Sequence, residues 1–504
     1  MTGPVKLVMI TLVALSPACT LVNPPSIASQ TPLDGVWVGQ VEMLVMKKRF
    51  LLRFSSEQGR LRATLDVPTS FTEGFPLRDL AVSAGTIRFS LPLGGGMRLE
   101  SGEWRHLPLQ VPDADNDSAK LEFEGKIEGE NIRGKVTGIP FPGTFHLRRA
   151  RAENPLPAAS SDFTGWGRKA RDYWPTREWK TSTLAAEGID RRGLAEAERV
   201  ILETKPEVRS LLIIRHGRLV YEKYFRGAGA AQAFNVKSVT KSITSALTGI
   251  ALRERLLQGV EQKVSDLLPE YFTAQTEARK KQITLRHLLT MTAGFAWTEY
   301  GPVTGEWIRS SDYVKFALDL PLVTDPGHGH SYNSSLSHLL AVIIARQSKV
   351  SLLEFARKQL FAPLGMRVQR WDTDPRGYCE GSSELYLTAR DMARFGFLYL
   401  NAGQWEGKEI VPADWVWESL RPHAAQDALQ ANYGYQWWIG QDDERPSFVA
   451  FGHGGQMIQI VPQLDLVVVM TSTTNDPGNN VTLLVLEHIL PAVGESNSQK
   501  RPAR

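Results

Sequence analysis

Residues 153–161, which are rich in proline, alanine and serine, separate two parts of this 504-residue chain that follow different hydrophobic patterns. A segment of that composition is typical of a linker. Before it, apolar residues recur in short alternating runs, and after it helical spacing mixes with strand-like runs. A chain of this length is also too long for one small core. The sequence therefore predicts an α+β protein with a small N-terminal β-barrel or sandwich and a larger mixed domain.

The region 29–151 contains short runs of strand-forming residues, including 36–39, 50–54 and 132–136, separated by glycine, proline, asparagine and aspartate. Regular short strands predict a barrel or a sandwich. A barrel of this kind can enclose a ligand cavity. No group of histidine and carboxylate residues there has metal-ligand spacing. A structural or docking module without chemistry is therefore the favoured interpretation, and the sequence does not indicate its role.

The N-terminus has the pattern of an export signal. Lys6 precedes an apolar run over 7–15, which is too short to span a bilayer and is typical of a signal-peptide core. Small residues at 26 and 28 predict cleavage after Ala28, which makes 1–28 the signal peptide. The alternative is a lipid-modified Cys19 as the first mature residue, which would attach the protein to a membrane. Either way the predicted location is periplasmic, secreted or membrane-anchored.

Composition excludes several classes of function. The net charge of +4 is small for 504 residues and indicates no nucleic-acid partner. Two cysteines, Cys19 and Cys379, are too few for a disulfide framework or a cysteine metal site. Three histidines, at 328, 330 and 338, lack an accompanying set of carboxylates, and no phosphate-binding loop is present, so we predict no metal and no cofactor. Nothing in the sequence indicates an oligomeric state.

A buried helix is predicted to begin near Ser238, because apolar or small residues recur at helical spacing from Val239 to Ile250. Ser238 and Lys241 are three residues apart, so they project from one face of that helix, about 4.5 Å apart along its axis. An amine can take the proton of a neighbouring hydroxyl if burial lowers the pKa of the amine, which suits nucleophilic catalysis. An ordinary helix with a hydroxyl N-cap and a solvated lysine has the same pattern. Ser-x-x-Lys alone leaves both interpretations open.

Two polar segments further along the chain supply candidate partners. Tyr332 lies in a turn-rich loop, 326–335, that leads into a helix predicted over 336–346. His453, Gly454, Gly455 and Gln456 lie between strands predicted over 448–452 and 457–461, where consecutive glycines indicate close approach of another backbone or a ligand. Residues 283–295 predict a short helix with a threonine cap and a terminal glycine. A structural hydrogen-bonding role is favoured for its histidine, His287.

These motifs, in this order, resemble the serine hydrolases of the β-lactamase and penicillin-binding-protein fold. They are similar in particular to the class C-like branch, which includes D-alanyl-D-alanine carboxypeptidases, esterases and 6-aminohexanoate-dimer hydrolase. The resemblance covers roughly 174–491 and includes the Trp-Pro-Thr opening at 174, the segment 283–295 and Gly454-Gly455-Gln456. It implies an antiparallel sheet flanked by helices, plus a helical region. The predicted hydrolase domain is 173–493, with a linker at 152–172 and a disordered tail at 494–504.

The resemblance also implies roles for single residues. Ser238 would attack a carbonyl and become acylated, and Lys241 and Tyr332 would share the proton transfers. The backbone N–H groups of Ser238 and Gln456 would form the oxyanion hole. The substrate would be contacted by a further set: Ser334, His453, Gly454 and Gly455.

Two departures from the family pattern narrow the expected chemistry. Ser334 stands where many relatives have asparagine, and His453 stands where β-lactam-processing relatives usually have lysine. Both favour a hydrolase of a small ester or amide, and the N-terminal signal predicts that this hydrolase is exported. One alternative is a β-lactamase or a D-Ala-D-Ala carboxypeptidase-type enzyme of peptidoglycan. Another is a non-catalytic binding or regulatory protein that retains the fold.

Overall fold

The computed structural model describes residues 33–149, except 44–45, 58–59, 68–71, 84, 93–96, 101–102, 107–119 and 138–142, and residues 170–494, except 300, 424–432, 441–446, 474–480 and 482–483. The predicted signal peptide with Cys19, most of the predicted linker and nearly all of the predicted tail lie outside these residues. Within the described ranges, no helix combines the length and the apolar character needed to cross a bilayer.

The N-terminal region is built from antiparallel strands. In chain order they are β1 (Gly35–Met43), β2 (Met46–Glu57), β3 (Arg60–Val67), β4 (Thr72–Pro76), β5 (Arg78–Ser83), β6 (Thr86–Pro92), β7 (Met97–Glu100), β8 (Glu103–His106), β9 (Lys120–Glu128), β10 (Asn131–Thr137) and β11 (Gly143–Arg149). Strands β7 and β8 form a separate hairpin, and the other nine belong to one sheet.

That sheet closes on itself. Strand β4 pairs with β3, and β5 pairs with β6 on the other side. Between them, the backbone N–H of Leu77 donates a hydrogen bond to the carbonyl of Ala63 in β3 (3.0 Å), so β4 and β5 are two halves of one bent strand. At the opposite point of the ring β1 pairs with both β2 and β11. Of the two predicted architectures, a barrel and a sandwich, the structure therefore shows the barrel.

Aromatic side chains fill the inside of the barrel. Phe89 and Phe123 stack with ring centroids 4.7 Å apart, and Phe145 meets both edge-on. Room for Phe145 comes from Gly125 and Gly134, which face each other across β9 and β10. A Cβ on Gly134 would lie 2.6 Å from the Phe145 ring, too close for any side chain. These rings form part of the barrel core, and the role of the barrel stays a prediction.

The larger region combines helices with a second sheet. Its helices are α1 (Arg191–Thr204), α2 (Val239–Arg253), α3 (Val264–Leu267), α4 (Leu285–Leu289), α5 (Pro302–Arg309), α6 (Tyr313–Asp319), α7 (Ser334–Ser348), α8 (Leu352–Ala356), α9 (Ala389–Leu400), α10 (Ala413–Ser419) and α11 (Leu490–Ala492), with π-helical turns at Arg357–Phe361 and Val485–Ile489. Its strands are β12 (Val208–Arg215), β13 (Arg218–Tyr224), β14 (Ala233–Asn235), β15 (Tyr386–Thr388), β16 (Gln404–Trp405), β17 (Lys408–Glu409), β18 (Trp438–Gly440), β19 (Ser447–Gly452), β20 (Gln456–Val461) and β21 (Leu466–Ser472).

The second sheet is antiparallel and buried on both faces. Its strand order is β13-β12-β21-β20-β19-β18. Along β12, Leu211 and Ile213 belong to a core shared with α1, whereas Leu212 and Ile214 belong to the core shared with α2, α7 and α9. This alternation follows from the two-residue period of a strand. The N- and C-terminal helices therefore cover one face, and α2 and α9 cover the face that carries the candidate site.

The end of the predicted linker is held by a buried ion pair. Arg171 binds the carboxylate of Asp465 through both terminal nitrogens (2.9 and 2.7 Å) and donates from Nε to Asn401 Oδ1 (2.7 Å). Both charged side chains are nearly buried. A bidentate guanidinium–carboxylate pair has a fixed geometry, so it holds the entrance of the second region against its sheet. The boundaries of the domains themselves stay predictions.

Candidate active site

The turn 235–238, called here the nucleophile turn, is held in an unusual backbone conformation. Lys237 has φ of +51°, in the left-handed region that costs a residue with a side chain about 1–2 kcal/mol. The Asn235 side chain stabilises this turn: Oδ1 accepts from the Lys237 N–H (2.9 Å), and Nδ2 donates to Glu384 Oε2 (2.7 Å). Strand β14, which ends at Asn235, pairs with β15, so Glu384 arrives from the adjoining chain segment. The turn places Ser238 directly before α2.

Ser238 occupies the N-cap position of α2, but in the part of the chain that the structure describes its side chain makes no capping hydrogen bond. Its Oγ instead accepts a hydrogen bond from Lys241 Nζ at 3.0 Å. The ordinary-helix interpretation of Ser-x-x-Lys expected a capping hydroxyl and a solvated lysine, and the structure shows neither.

Lys241 is buried, with 1% of its surface exposed. Its ammonium nitrogen lies 3.0 Å from each of three acceptors: Ser238 Oγ, Ser334 Oγ and the Ser382 carbonyl oxygen. Burial lowers the pKa of Lys241, while the charges of Glu299 and Glu380 act in the opposite direction. A lysine with a lowered pKa and a hydroxyl in contact has the properties of a general base.

Ser334 links this lysine to a carboxylate. Ser334 is the first residue of α7, two residues before the predicted start, because the Asn333 side chain accepts from the Ser335 N–H (2.9 Å) and begins the helix earlier. The Ser334 hydroxyl donates to Glu299 Oε1 at 2.5 Å and accepts from Lys241. The sequence assigned Ser334 to substrate contact, and the structure places it 6% exposed in a hydrogen-bond chain behind the lysine.

Tyr332 forms the aromatic side of the site. Its ring lies with its centroid 5.1 Å from Lys241 Nζ and stacks on Trp438 at 5.4 Å. Tyr433 meets both rings edge-on. The pKa of Tyr433 is raised well above its usual value by burial and by the charge of Glu299, so its hydroxyl stays protonated at neutral pH. Tyr433 is therefore a wall residue, and Tyr332 is the half-buried tyrosine beside the lysine.

The predicted glycine-rich segment forms the turn between β19 and β20. Gly454 and Gly455 have φ of +77° and +96°, and the Gly455 N–H donates to the Gly452 carbonyl (3.2 Å). A Cβ on Gly452 would lie 2.4 Å from the Val236 carbonyl oxygen. The glycine pattern predicted close approach of another backbone, and the backbone that approaches Gly452 is that of the nucleophile turn.

Gln456 opens β20 opposite Gly452. The Gln456 side chain points away from the site, because its amide donates to the Ser472 carbonyl oxygen (2.6 Å) and accepts from the Ser472 N–H (3.3 Å). Its side chain is therefore not available to Ser238, and the oxyanion role of its backbone N–H stays a prediction. His453 is half-buried in the turn between β19 and β20.

A buried polar group supports the carbonyl of Ser382. Glu380 Oε1 accepts from the N–H (3.0 Å) and hydroxyl (2.8 Å) of Ser382. Glu380 lies near His338 Nδ1 (3.8 Å), and His338 Nε2 bonds Asp374 (3.1 Å). Burial would raise the pKa of Asp374, but hydrogen bonds from His338 and from two backbone N–H groups lower it overall.

The remaining polar candidates do not converge on the site. His338 belongs to the core behind Ser382, and the His330 ring lies tilted against Tyr433, with ring centroids 5.3 Å apart. His287 Nδ1 accepts from the Thr284 N–H (3.2 Å), as its structural interpretation predicted. Cys379 is buried, and burial raises the pKa of its thiol. In the described ranges, no group of three or more histidine, cysteine or carboxylate residues could hold a metal ion.

The sequence indicated no role for four residues of this environment: Asn235, Glu299, Glu380 and Glu384. Glu299 had the best available signal, as one of two acidic residues, with Glu306, in the aromatic segment 295–307. No spacing rule connects it to Ser334, 35 residues away, or to Lys241.

Comparisons with known proteins identify the family of this chain. The family described as Beta-lactamase matches residues 201–486, more than half of the chain. The 6-aminohexanoate-dimer hydrolase of Paenarthrobacter ureafaciens is 24% identical over 305 residues, 56% of this chain and 76% of that protein. Penicillin-binding protein 4* of Bacillus subtilis is 24% identical over 304 residues, 51% of this chain and 64% of that protein.

The fold agrees as well. A solved structure of a candidate 6-aminohexanoate-dimer hydrolase from Bacillus anthracis superposes with a TM-score of 0.54 at 22% identity, covering 66% of this chain and 90% of that one. Family match and fold lead to one conclusion: this chain belongs to the β-lactamase family of serine hydrolase fold.

Proposed function

We propose that this protein hydrolyses a small ester or amide through an acyl-enzyme formed on Ser238. One observation carries the proposal: a buried amine, Lys241 Nζ, lies 3.0 Å from the Ser238 hydroxyl. Nucleophile and base at that distance, with the base oriented by further hydrogen bonds, are the arrangement that covalent catalysis requires.

The proposed reaction has two halves. Ser238 Oγ forms a bond to the substrate carbonyl carbon as its proton passes to Lys241 Nζ. The tetrahedral intermediate then collapses and expels the alcohol or amine, which takes that proton with Tyr332 assisting. Water then attacks the acyl-enzyme and gives one proton to the lysine and tyrosine pair. When the second tetrahedral intermediate collapses, the bond to Ser238 Oγ breaks, Oγ takes that proton, and the acid is released.

The oxyanion of both intermediates is proposed to bind two backbone N–H groups, those of Ser238 and Gln456. Contact of Gly452 with the nucleophile turn supports this assignment, because it brings the start of β20 against the start of α2. Losing one such donor typically costs about 10²–10³ in rate.

The site walls support a small, partly apolar substrate. Tyr332, Tyr433 and Trp438 form an aromatic surface next to Lys241. His453 replaces the lysine that would recognise the carboxylate of a β-lactam or peptide. The name of one relative, 6-aminohexanoate-dimer hydrolase, supports an amide among the substrates tested, and that of another, Penicillin-binding protein 4*, keeps β-lactams in the panel.

The test uses purified wild type and Ser238→Ala with a fluorophosphonate label, p-nitrophenyl esters, small amides and a chromogenic cephalosporin. We expect wild type to be labelled once, on Ser238 by peptide mass spectrometry, and to turn over an ester or amide. Ser238→Ala should lose both activities. Turnover of the cephalosporin faster than every ester and amide would instead favour the β-lactamase alternative. A wild type that reacts with nothing would support the non-catalytic alternative.

We also propose that the protein is exported, on the basis of the apolar run at 7–15. Expression of the full chain in a bacterial host should place it outside the cytoplasm, and mass spectrometry of its N-terminus should find either residue 29 first or a lipid on Cys19. An intact N-terminus in the cytoplasmic fraction would contradict export.

A further inference from the structure

We propose that Glu299 is a positioning residue which, through the hydroxyl of Ser334, directs the lone pair of Lys241 at Ser238. The inference rests on the proposed function and adds to it a group that touches neither the nucleophile nor its base. It follows from counting which atoms around the lysine can donate and which can only accept.

One carboxylate oxygen of Glu299 is occupied by donors that cannot be reversed. Oε2 accepts from Trp297 Nε1 (2.7 Å) and from the backbone N–H of Ser334 (3.0 Å). An indole N–H and a backbone N–H only donate. The carboxylate is thus held from two sides in a single orientation, and its other oxygen, Oε1, faces the Ser334 hydroxyl at 2.5 Å.

The second oxygen determines what Ser334 can do. A carboxylate only accepts, so the single proton of the Ser334 hydroxyl is committed to Glu299. Ser334 Oγ can then meet Lys241 Nζ only as an acceptor. The Ser382 carbonyl oxygen, 3.0 Å from the same nitrogen, is also an acceptor only.

The consequence appears when Lys241 is neutral. An ammonium has three N–H groups, one for each of its three acceptors, whereas an amine has two N–H groups and one lone pair. Ser334 and Ser382 take the two N–H groups. The lone pair is left for the third neighbour, Ser238 Oγ, which is the only one of the three whose proton is free to move to it. Lys241 is thereby pre-oriented as the base for Ser238.

Glu299→Gln is the variant that reverses this polarity with the least change in shape. The amide oxygen of glutamine must face the two obligate donors from Trp297 and the Ser334 backbone, so its NH₂ group faces the Ser334 hydroxyl. Ser334 then accepts from Gln and donates its own proton to Lys241. That occupies the lone pair and turns a lysine N–H toward Ser238.

Two readouts are expected to move in Glu299→Gln. The plateau rate of acylation, measured by fluorophosphonate labelling and by kcat/KM for the best ester, should fall by at least tenfold. The acidic limb of the pH–rate profile should shift to lower pH, because Glu299 raises the pKa of Lys241 and that contribution is lost. A merely damaged fold would lower the plateau without this shift. The matched control is Glu306→Gln, the same change at an exposed position on α5, which should alter neither readout.

A double-mutant cycle with Ser334→Ala tests the route. Without the Ser334 hydroxyl, Glu299 has no path to the lysine lone pair, so Glu299→Gln should cost less than threefold in the Ser334→Ala background. An equal cost in both backgrounds would mean that Glu299 contacts the substrate itself, and would overturn the proposal.

Ser334→Thr provides an answer even if Glu299→Gln does not fold. Threonine keeps the hydroxyl and alanine removes it, so Ser334→Thr should acylate at least five times faster than Ser334→Ala. Equal rates would overturn the inference while leaving the hydrolase proposal intact. Failure of the wild type to label on Ser238 would instead reject the proposed function, so the two failures are distinguishable.

Discussion

At the scale of single residues, the chemistry depends on what surrounds Lys241. Burial lowers the pKa of Lys241, and the charges of Glu299 and Glu380 raise it. Burial has the larger effect, so the pKa is lowered overall. A base with a lowered pKa is neutral over a wider pH range and can accept the Ser238 proton under ordinary conditions.

The first prediction concerns the pH dependence of acylation. The neutral amine is the active form, so kcat/KM should rise with pH through the pKa of Lys241 and level off. Since that pKa is lowered, the plateau should be reached well below pH 10.5, the usual value for lysine. Rates of ester cleavage measured between pH 5 and pH 11 check this, with stability monitored in parallel. A rate that begins to rise only near pH 10 would contradict it.

The second prediction concerns Lys241→Arg. Arginine keeps the positive charge but does not release its proton at any usable pH. We expect acylation to fall by about 10²–10⁴, the usual contribution of a general base. Circular dichroism should show the fold retained.

Lys358→Arg, on an exposed position of the π-helical turn at Arg357–Phe361, is the matched control and should react like wild type. Retention of normal acylation in Lys241→Arg would remove the lysine from the mechanism.

At the scale of secondary-structure elements, the site is the junction of β19 with the nucleophile turn and of α7 with α2. Gly452 marks the first junction, since its absent side chain lets the backbone of β19 reach Val236. The second junction, of α7 with α2, is supported by His338 and Asp374, whose side chains are fully buried and in contact.

The third prediction is that Gly452→Ala separates β19 from the nucleophile turn. The new methyl group would lie 2.4 Å from the Val236 carbonyl oxygen, so one backbone must shift. A cost of about 1–3 kcal/mol in stability is expected for such overpacking. A displacement of the oxyanion donors by about 1 Å should lower acylation by about 10².

Gly259→Ala is the control for that variant, because a Cβ at Gly259 meets nothing within 4 Å. Urea unfolding and fluorophosphonate labelling measure the two effects separately. Acylation at the wild-type rate in Gly452→Ala would argue against an oxyanion hole between these elements.

The fourth prediction concerns the buried pair that His338 of α7 forms with Asp374. His338→Leu leaves Asp374 with its backbone donors from Arg376 and Tyr378 but without its side-chain partner. We expect the free energy of unfolding to fall by about 1–3 kcal/mol, the cost of an unmet buried hydrogen bond. Urea titration measures this, with Gln347→Ala near the end of the same helix as the control. No loss of stability would show that Asp374 is fully satisfied by the backbone.

At the scale of the whole molecule, the barrel and the hydrolase region have separate cores. The described residues of the barrel core all lie between 33 and 147, and those of the two hydrolase cores lie between 179 and 493. Separate cores predict separate unfolding transitions.

The fifth prediction tests this separation with Phe89→Ala, which removes one ring of the stacked pair inside the barrel. The barrel should lose about 3–5 kcal/mol, and calorimetry should show one transition moving to lower temperature while the other stays. Labelling of Ser238 should not change. Val82→Ala, at a position 45% exposed, is the control. Both transitions moving together would mean that the two regions unfold as one unit.

Much of the fold could be predicted because its signals are local. The helix after Ser238 and the strands on either side of His453 stand where the sequence indicated them, as α2, β19 and β20. Each depends on residues a few positions apart. The predicted helix over 283–295 was too long: α4 ends at Leu289, and Met291 turns to φ of +59° so that its carbonyl can accept from the Ser331 N–H (2.9 Å) beside Tyr332. A long-range contact overrode the local pattern there.

The sequence by itself determined the family, the order of its motifs and the pair Ser238 and Lys241, because one helical turn brings those two side chains together. Only the tertiary structure decided whether Lys241 can act as a base for Ser238. The acceptors that orient the lysine come from Ser334 and Ser382, 93 and 141 residues away, and Glu299 reaches it through Ser334. No periodicity relates these positions. Their convergence depends on how α7 and the segment before β15 pack on α2, and burial by that packing is what lowers the pKa of Lys241.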